Sequence, residues 1–308
     1  MLSRIAESLF WIGRYIERAD GTASVLDAHL QLLLEDPWID ENLACRSILE
    51  VMGAKIPETG DMTRQDVLSL LAVDRSQPTA IAFSLGAARE NARRAREIVS
   101  TELWECLNTT RARTPRKVAD DKVHAFIAWV RERSALAVGI IESATRRDEA
   151  WYFFTLGRSL ERADMTARLL ATRSLTEDSG PSWTTILRSC GAYESYLRTH
   201  SGSPSAVRAG EFLLLDRQFP RSILFSLTRA EHCLDEIEPR SETAAPDQSR
   251  RMLGQIRSEI EYRPIAEILE DLPAHMESVQ LATSSVSEQA RLRYFPNDAA
   301  PSWVGETT

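Results

Sequence analysis

The eleven residues Gly13-Arg14-Tyr15-Ile16-Glu17-Arg18-Ala19-Asp20-Gly21-Thr22-Ala23 return as Gly157-Arg158-Ser159-Leu160-Glu161-Arg162-Ala163-Asp164-Met165-Thr166-Ala167, with eight identities at an offset of 144. A unit that occurs twice constrains the fold more than any other feature of the chain, because both copies must pack by the same rules. Phe10 with Phe154 and Leu26 with Leu170 extend the match. A second anchor follows at an offset of 142. Leu71, Asp74, Arg75, Pro78, Ile81, Phe83, Ser84, Leu85 and Ala88 reappear as Leu213, Asp216, Arg217, Pro220, Ile223, Phe225, Ser226, Leu227 and Ala230. A third, weaker anchor pairs Ile48-Leu49 and Gly53-Ala54 with Ile186-Leu187 and Gly191-Ala192. Three anchors in one order predict a tandem duplication. The expected halves are residues 1–147 and 148–293 of one integrated domain, with a loose tail over 294–308. Polar connectors are expected around Asn108–Asp121, Thr176–Ser182, His200–Ser205 and Pro239–Ser249.

The repeated unit reads as helix. Leu2, Ile5, Leu9, Ile12, Ile16, Ala19, Ala23, Leu26, Leu30 and Leu33 keep an unbroken 3-4 spacing, a seam along one long helix. Ser3 is the expected N-cap, and Asp36-Pro37 the stop. At ~1.5 Å per residue the rod is roughly 50 Å long. Phe153, Leu156, Leu160, Ala163, Ala167 and Leu170 repeat the seam. Glycine and proline number only 13 each, and hydrophobic residues reach 43%, a balance that suits helices around a large core. The expected architecture is therefore all-α: a tandem-duplicated, antiparallel helical bundle with pseudo-two-fold symmetry.

Arg14, Glu17 and Arg18 fall off the seam, yet Phe10, Trp11, Gly21, Val25, Ala28 and Leu32 share their side of the helix. A helix apolar nearly all round is a buried one. Charges on it must be paired or must hold a ligand. If the halves pack about a pseudo-two-fold axis, Glu17 can face Arg162 and Glu161 can face Arg18, while Arg14 can reach Glu17 along its own helix. Arg14, Glu17, Arg18, Arg158, Glu161 and Arg162 are the primary candidate residues. Three roles stay open for them: a closed ion-pair network, an anion or acid/base site, or plain surface charge.

Secondary candidates lie elsewhere. In Ala87–Glu97 the small residues Ala88, Ala92 and Ala95 form an inner stripe with Val99, which leaves the arginines outside. Either that face is solvated and balanced by Glu90 and Glu97, or Arg89, Asn91 and Arg93 hold a phosphate, a carboxylate or a partner. Asp74 and Asp216 precede Pro78 and Pro220, which fit the first turn of a helix. Capping or turn formation is the expected role of this repeated pair.

Several classes of function are disfavoured. A net charge of −8 and a pI near 5.3 argue against a general nucleic-acid surface. Cys45, Cys106, Cys190 and Cys233 form no C-x-x-C pair and read as reduced, buried thiols. There is no apolar run long enough to span a membrane and no signal-peptide pattern, so a cytoplasmic location is expected. Phosphate-loop, dinucleotide and H-E-x-x-H motifs are missing, and none of His29, His124, His200, His232 and His275 follows a Glu at Glu-x-x-His spacing. Asp120-Asp121 lacks the third aspartate of a diphosphate-binding motif. No metal and no organic cofactor is expected.

Met1-Leu2-Ser3-Arg4-Ile5-Ala6-Glu7, Trp11-Ile12-Gly13-Arg14-Tyr15-Ile16-Glu17-Arg18-Ala19, Ala88-Arg89-Glu90-Asn91-Ala92-Arg93 and Ser100-Thr101-Glu102-Leu103-Trp104 together resemble the bacterial alpha-E family. That family is an all-helical domain named for its Glu-Arg motif, and the resemblance runs from residue 1 to about Phe295. It implies a setting beside, or fused to, a circularly permuted ATP-grasp amide ligase, with a transglutaminase-like peptidase often nearby. On that resemblance the chain is expected to be an accessory or binding component of a peptide-forming or peptide-modifying system. Its expected partners are the ligase and a peptide or acidic small molecule. Two alternatives stay open: an enzyme using Glu17 and Glu161 as acid and base with Arg18 and Arg162 holding an anion, and a plain helical scaffold.

Overall fold

A computed structural model of the protein describes residues 1–57, 59–174, 181–239 and 247–296. Among them there are helices and turns and no strand. Fourteen α-helices follow in order: α1 (Ser3–Glu35), α2 (Glu41–Val51), α3 (Arg64–Leu68), α4 (Ile81–Arg94), α5 (Thr101–Arg113), α6 (Val123–Ala144), α7 (Glu149–Ala171), α8 (Trp183–Ser189), α9 (Tyr193–Thr199), α10 (Ala206–Leu215), α11 (Ile223–Ile237), α12 (Gln248–Tyr262), α13 (Ile265–Glu270) and α14 (Leu272–Tyr294).

Local chemistry sets most of the helix starts. Asp40, Ser100, Asp148, Ser222 and Asp247 each accept a backbone N–H from the first turn of the helix that follows. Thr63 and Asp66 form a reciprocal capping box on α3. The start of α1 differs from expectation. Ser3 is already inside the helix, Leu2 holds the cap position, and no side chain caps it. Tertiary packing of a long buried helix replaces the missing cap.

α1 and α7 form the centre. α1 packs most extensively on α7, with α4 and α6 along its other sides, and α7 is flanked by α11 and α14. Ile12, Ala19, Ala23, Val25, Leu26 and Ala28 have no exposure, and neither do Leu156, Leu160, Ala163 and Ala167. From Ile5 to Leu30 the 3-4 seam is buried, and so are Phe10, Val25, Ala28 and Leu32 off it, as a helix surrounded by others requires.

The direction of the central pair departs from the expected antiparallel bundle. The N-terminal amine of Met1 pairs with Glu149, Gly13 lies on Phe154, and Gly21 lies on Met165. These contacts advance in the same sense along both helices, so α1 and α7 run parallel. The outer neighbours are antiparallel. Tyr15 meets Phe83 and Arg4 meets Glu97 along α1 and the α4 region, while Trp151 meets Arg229 and Thr166 meets the Arg221 carbonyl along α7 and the α11 region. A parallel pair is feasible because α2 to α6 carry the chain back to the starting end.

Two connector readings also shift. Asn108 belongs to α5, where Leu103, Cys106, Leu107 and Thr110 keep one buried face, so the connector begins after Arg113. Residues 294–296 are not a loose tail. The Phe295 ring sits 5.6 Å from Phe10 and 5.5 Å from Phe153, and fills the space where the two central helices begin. Residues 297–308, and most of the connectors expected over 176–182 and 239–249, lie outside the described residues.

Candidate functional site

The motif works first through its glycines. A Cβ built on Gly13 would collide with the Phe154 carbonyl, and one on Gly157 with the Phe10 carbonyl. Only a residue without a side chain lets the two backbones come this close. The close approach then brings the residues one turn later into reach across the interface.

Glu17 accepts hydrogen bonds from Arg162 through Nε and Nη2, both at 2.7 Å, and from Arg158 Nε at 3.2 Å. Glu161 mirrors it, accepting from Arg14 Nε and from both Arg18 Nε and Nη2, the last at 3.0 Å. Glu17 is 3% exposed and Glu161 not at all. All six primary candidates are thus brought together, and the expected pairs Glu17–Arg162 and Glu161–Arg18 are both present. One expectation fails: Arg14 does not bond Glu17 within its helix but reaches across to Glu161. The parallel close packing offers Arg14 a fully buried carboxylate, which a neighbour on its own helix cannot match.

Burial by itself would raise both glutamate pKa values, yet the surrounding guanidinium groups outweigh it. Arg162, Arg221 and Arg158 hold Glu17, and Arg14 and Arg18 hold Glu161, at about 2. Both carboxyls are therefore ionised at neutral pH. Arg158 moves the other way for its type. Burial, and then the adjacent Arg162 guanidinium, lower its pKa, with Glu17 and Glu142 acting against them.

The two sides of the cluster are unlike. Around Glu161, Arg14 lies over the Trp11 ring at 5.8 Å and Arg18 over the Tyr15 ring at 5.4 Å. At the matching positions of α7 stand Thr155 and Ser159, which carry no ring. On the Glu17 side a cleft of about 510 Å³ opens between α1, α6, α7 and the turn before α11. Arg131, Arg158, Arg162 and Arg221 face it together with Glu17, Asp20 and Glu132, and Ile16, Ala135, Val138 and Gly139 give it an apolar wall.

Sequence reasoning missed Arg221, Asp20 and Arg131. Arg221 pairs with Asp20 and lies 3.6 Å from Glu17. Its position in the second anchor matches Thr79 in the first, so repetition gave no signal for it. Asp20 was available as part of the repeated motif. Arg131 lies on α6 and forms no ion pair or hydrogen bond among the described residues; its guanidinium lies against Gly191.

The secondary candidates are not brought together as one cluster; Arg89 lines a separate cleft of about 340 Å³ with Arg75 and Arg111. Asp74 accepts backbone N–H groups of Ser76 and Gln77, and Asp216 those of Gln218 and Phe219, so both are turn formers. Pro78 and Pro220 stand in those turns rather than in the first helical turn, since α4 and α11 begin at Ile81 and Ile223. Arg89 donates to Asn108 at 2.9 Å and stacks on Trp104, Asn91 donates to the Ala87 carbonyl of its own helix, and Arg93 pairs with Glu90 at the surface. Arg89 and Arg93 share Glu90, and Asn91 is turned to its own helix backbone. All four cysteines are buried and free. Cys45 lies 3.7 Å from His29, but burial pushes the thiol up to about 12 and the imidazole down to about 4, opposite to an activated thiolate pair. Among the described residues no three His, Cys, Asp or Glu side chains group as metal ligands, and no helix is long and apolar enough to cross a membrane.

A family profile described as "a predicted alpha-helical domain with a conserved ER motif" matches residues 1–295. The chain belongs to the Alpha-E family. It is 26% identical, over 94% of its length, to an uncharacterised protein of Mycobacterium bovis, and 25% identical over the same share to an uncharacterised protein of Mycobacterium tuberculosis. It spans 36% of the length of these curated relatives. No solved structure matches. In this Alpha-E chain the Glu-Arg pairs are Glu17-Arg18 and Glu161-Arg162, the residues that cross-link the two central helices.

Proposed function

We propose that this Alpha-E chain is a non-catalytic binding component of a system that makes or modifies peptides through amide bonds, with an ATP-grasp ligase as its partner. The observation that carries the reading is the state of the two glutamates. Each is saturated by guanidinium donors and ionised far below neutral pH. A general acid or base works best with a pKa near the operating pH, so the acid/base alternative has the site's electrostatics against it. The plain-scaffold alternative has the open, arginine-lined cleft against it. The ligase enters through the family resemblance. In the curated relatives the matched segment is about a third of a longer chain. An ATP-using partner makes the cytoplasm the proposed place of work.

The same reading includes the ancestry of the fold. We take residues 1–147 and 148–293 as duplicated halves of one integrated domain, related by a pseudo-two-fold axis between α1 and α7. Reciprocal contacts at the sequence offsets support this. Gly13–Phe154 answers Gly157–Phe10, Arg18–Glu161 answers Arg162–Glu17, and Thr22 donating to the Thr79 carbonyl answers Thr166 donating to that of Arg221. Gly53 and Gly191 end their helices at φ 65° and 67°.

The test is co-purification with an ATP-grasp ligase from the same cell, followed by amide-formation assays with and without the chain. A stable complex and an amide yield that depends on the chain are expected. Turnover of a peptide substrate by the chain alone would overturn the reading.

A further inference from the structure

We propose that the cleft beside Glu17 is a receptor site for a carboxylate carried on a short hydrocarbon stem, such as an acidic side chain of a peptide. The inference deepens the binding reading above and rests on it.

Donor supply is the first reason. Each guanidinium has five N–H groups in a fixed fork. Arg158 and Arg221 each donate one hydrogen bond, to Glu17 and Asp20, and Arg162 donates three, two to Glu17 and one to the Pro220 carbonyl, while Arg131 donates none among the described residues. Forks of this kind match the two oxygens of a carboxylate.

Charge and shape then narrow the ligand. The lining carries four arginines against three carboxylates, with Glu142 a further 3.6 Å partner of Arg158, so a single negative charge can seat on Arg131, which has no ion pair among the described residues, while a second would meet repulsion from Glu17 and Asp20. That favours a monocarboxylate over a phosphate dianion. Ala135 and Val138 offer an apolar wall to the ligand's methylene groups. The Glu161 side cannot do the same. Trp11 and Tyr15 cover its arginines, and Thr79 replaces Arg221.

The probe is N-acetyl-glutamate methylamide, with its glutamine counterpart and inorganic phosphate as comparisons, titrated calorimetrically into the full chain. Saturable binding of the glutamate probe with Kd below roughly 1 mM is expected. The glutamine probe, and the glutamate probe on Arg131→Ala protein, should each bind about tenfold weaker or worse. Arg131 has no ion-pair partner, so Arg131→Ala should melt within about 2 °C of the parent. Arg131→Gln serves if the alanine variant does not fold. Absence of saturable binding, equal affinity for the glutamine probe, or affinity indifferent to Arg131 would overturn the site. Tighter binding of phosphate would overturn the carboxylate assignment. Loss of the cleft result with ligase co-purification intact removes this inference alone.

Discussion

Replacing Glu17 by alanine should lower the melting temperature by on the order of 10 °C. The carboxylate sits 3% exposed among Arg158, Arg162 and Arg221. Its removal leaves three guanidinium groups facing one another, with Asp20 pairing Arg221 and the more distant Glu142 pairing Arg158. Breaking a buried pair by deleting one partner costs about 3–5 kcal/mol. For a chain of this size each kcal/mol is worth roughly 2–4 °C. The cleft admits water to Arg158 and Arg162, which are 19% and 11% exposed, and this places Glu17→Ala toward the lower end. Glu161 is fully buried and Arg14 is 6% exposed, so Glu161→Ala should cost at least as much. The surface pair Glu90–Arg93 supplies the control. Glu90 is 40% exposed, and Glu90→Ala should cost under about 1 kcal/mol. Differential scanning calorimetry of the three variants at neutral pH and moderate salt decides the matter. If Glu17→Ala melts within about 2 °C of the parent, the cluster is not a stabilising lock and the reasoning fails.

Other consequences follow from the same geometry. Gly13→Ala and Gly157→Ala each force a Cβ into a backbone carbonyl, so each should destabilise by about 1–3 kcal/mol or more in urea titrations. An unchanged midpoint would refute the close approach. The folded pKa values of Glu17 and Glu161 lie below the ordinary 4.5, at about 2. Their stabilisation is therefore present above pH about 4.5 and lost as pH falls toward 2. Urea midpoints should drop steeply across that window, and less steeply in Glu17→Gln protein. Burial raises Cys45 and Cys233 to about 12 and Cys190 to about 11. These thiols should resist a disulfide reagent in the native protein at pH 7 and react fully in urea. Rapid native reaction would show that the core opens.

The sequence carried much of the fold and part of the site, for identifiable reasons. The 3-4 seam and the apolar residues off it marked α1 as central, and repetition of Glu17-Arg18 in Glu161-Arg162 on such a helix pointed to reciprocal pairs. An offset does not encode direction, so the parallel course of α1 and α7 was not legible. It becomes evident only from Gly13 against Phe154 and Gly21 against Met165. Arg221 replaces a threonine between the anchors, and Arg131 and Ser134 sit on a helix where no motif repeats. The cleft is therefore lined in part by positions at which the two repeated segments differ, which a search for repeats passes over.

The central claim is that Glu17 and Glu161 are permanently ionised locks rather than proton-transfer groups. Nuclear magnetic resonance titration of isotope-labelled glutamate side chains, assigned with Glu17→Gln and Glu161→Gln proteins, measures this directly. Both carboxyl signals should stay in the ionised position from neutral pH down to the onset of acid unfolding, because the surrounding guanidinium groups hold both carboxyls well below the usual carboxylate range. A carboxyl at either position that titrates between about pH 5 and 8, the range useful to an acid/base catalyst, would contradict it.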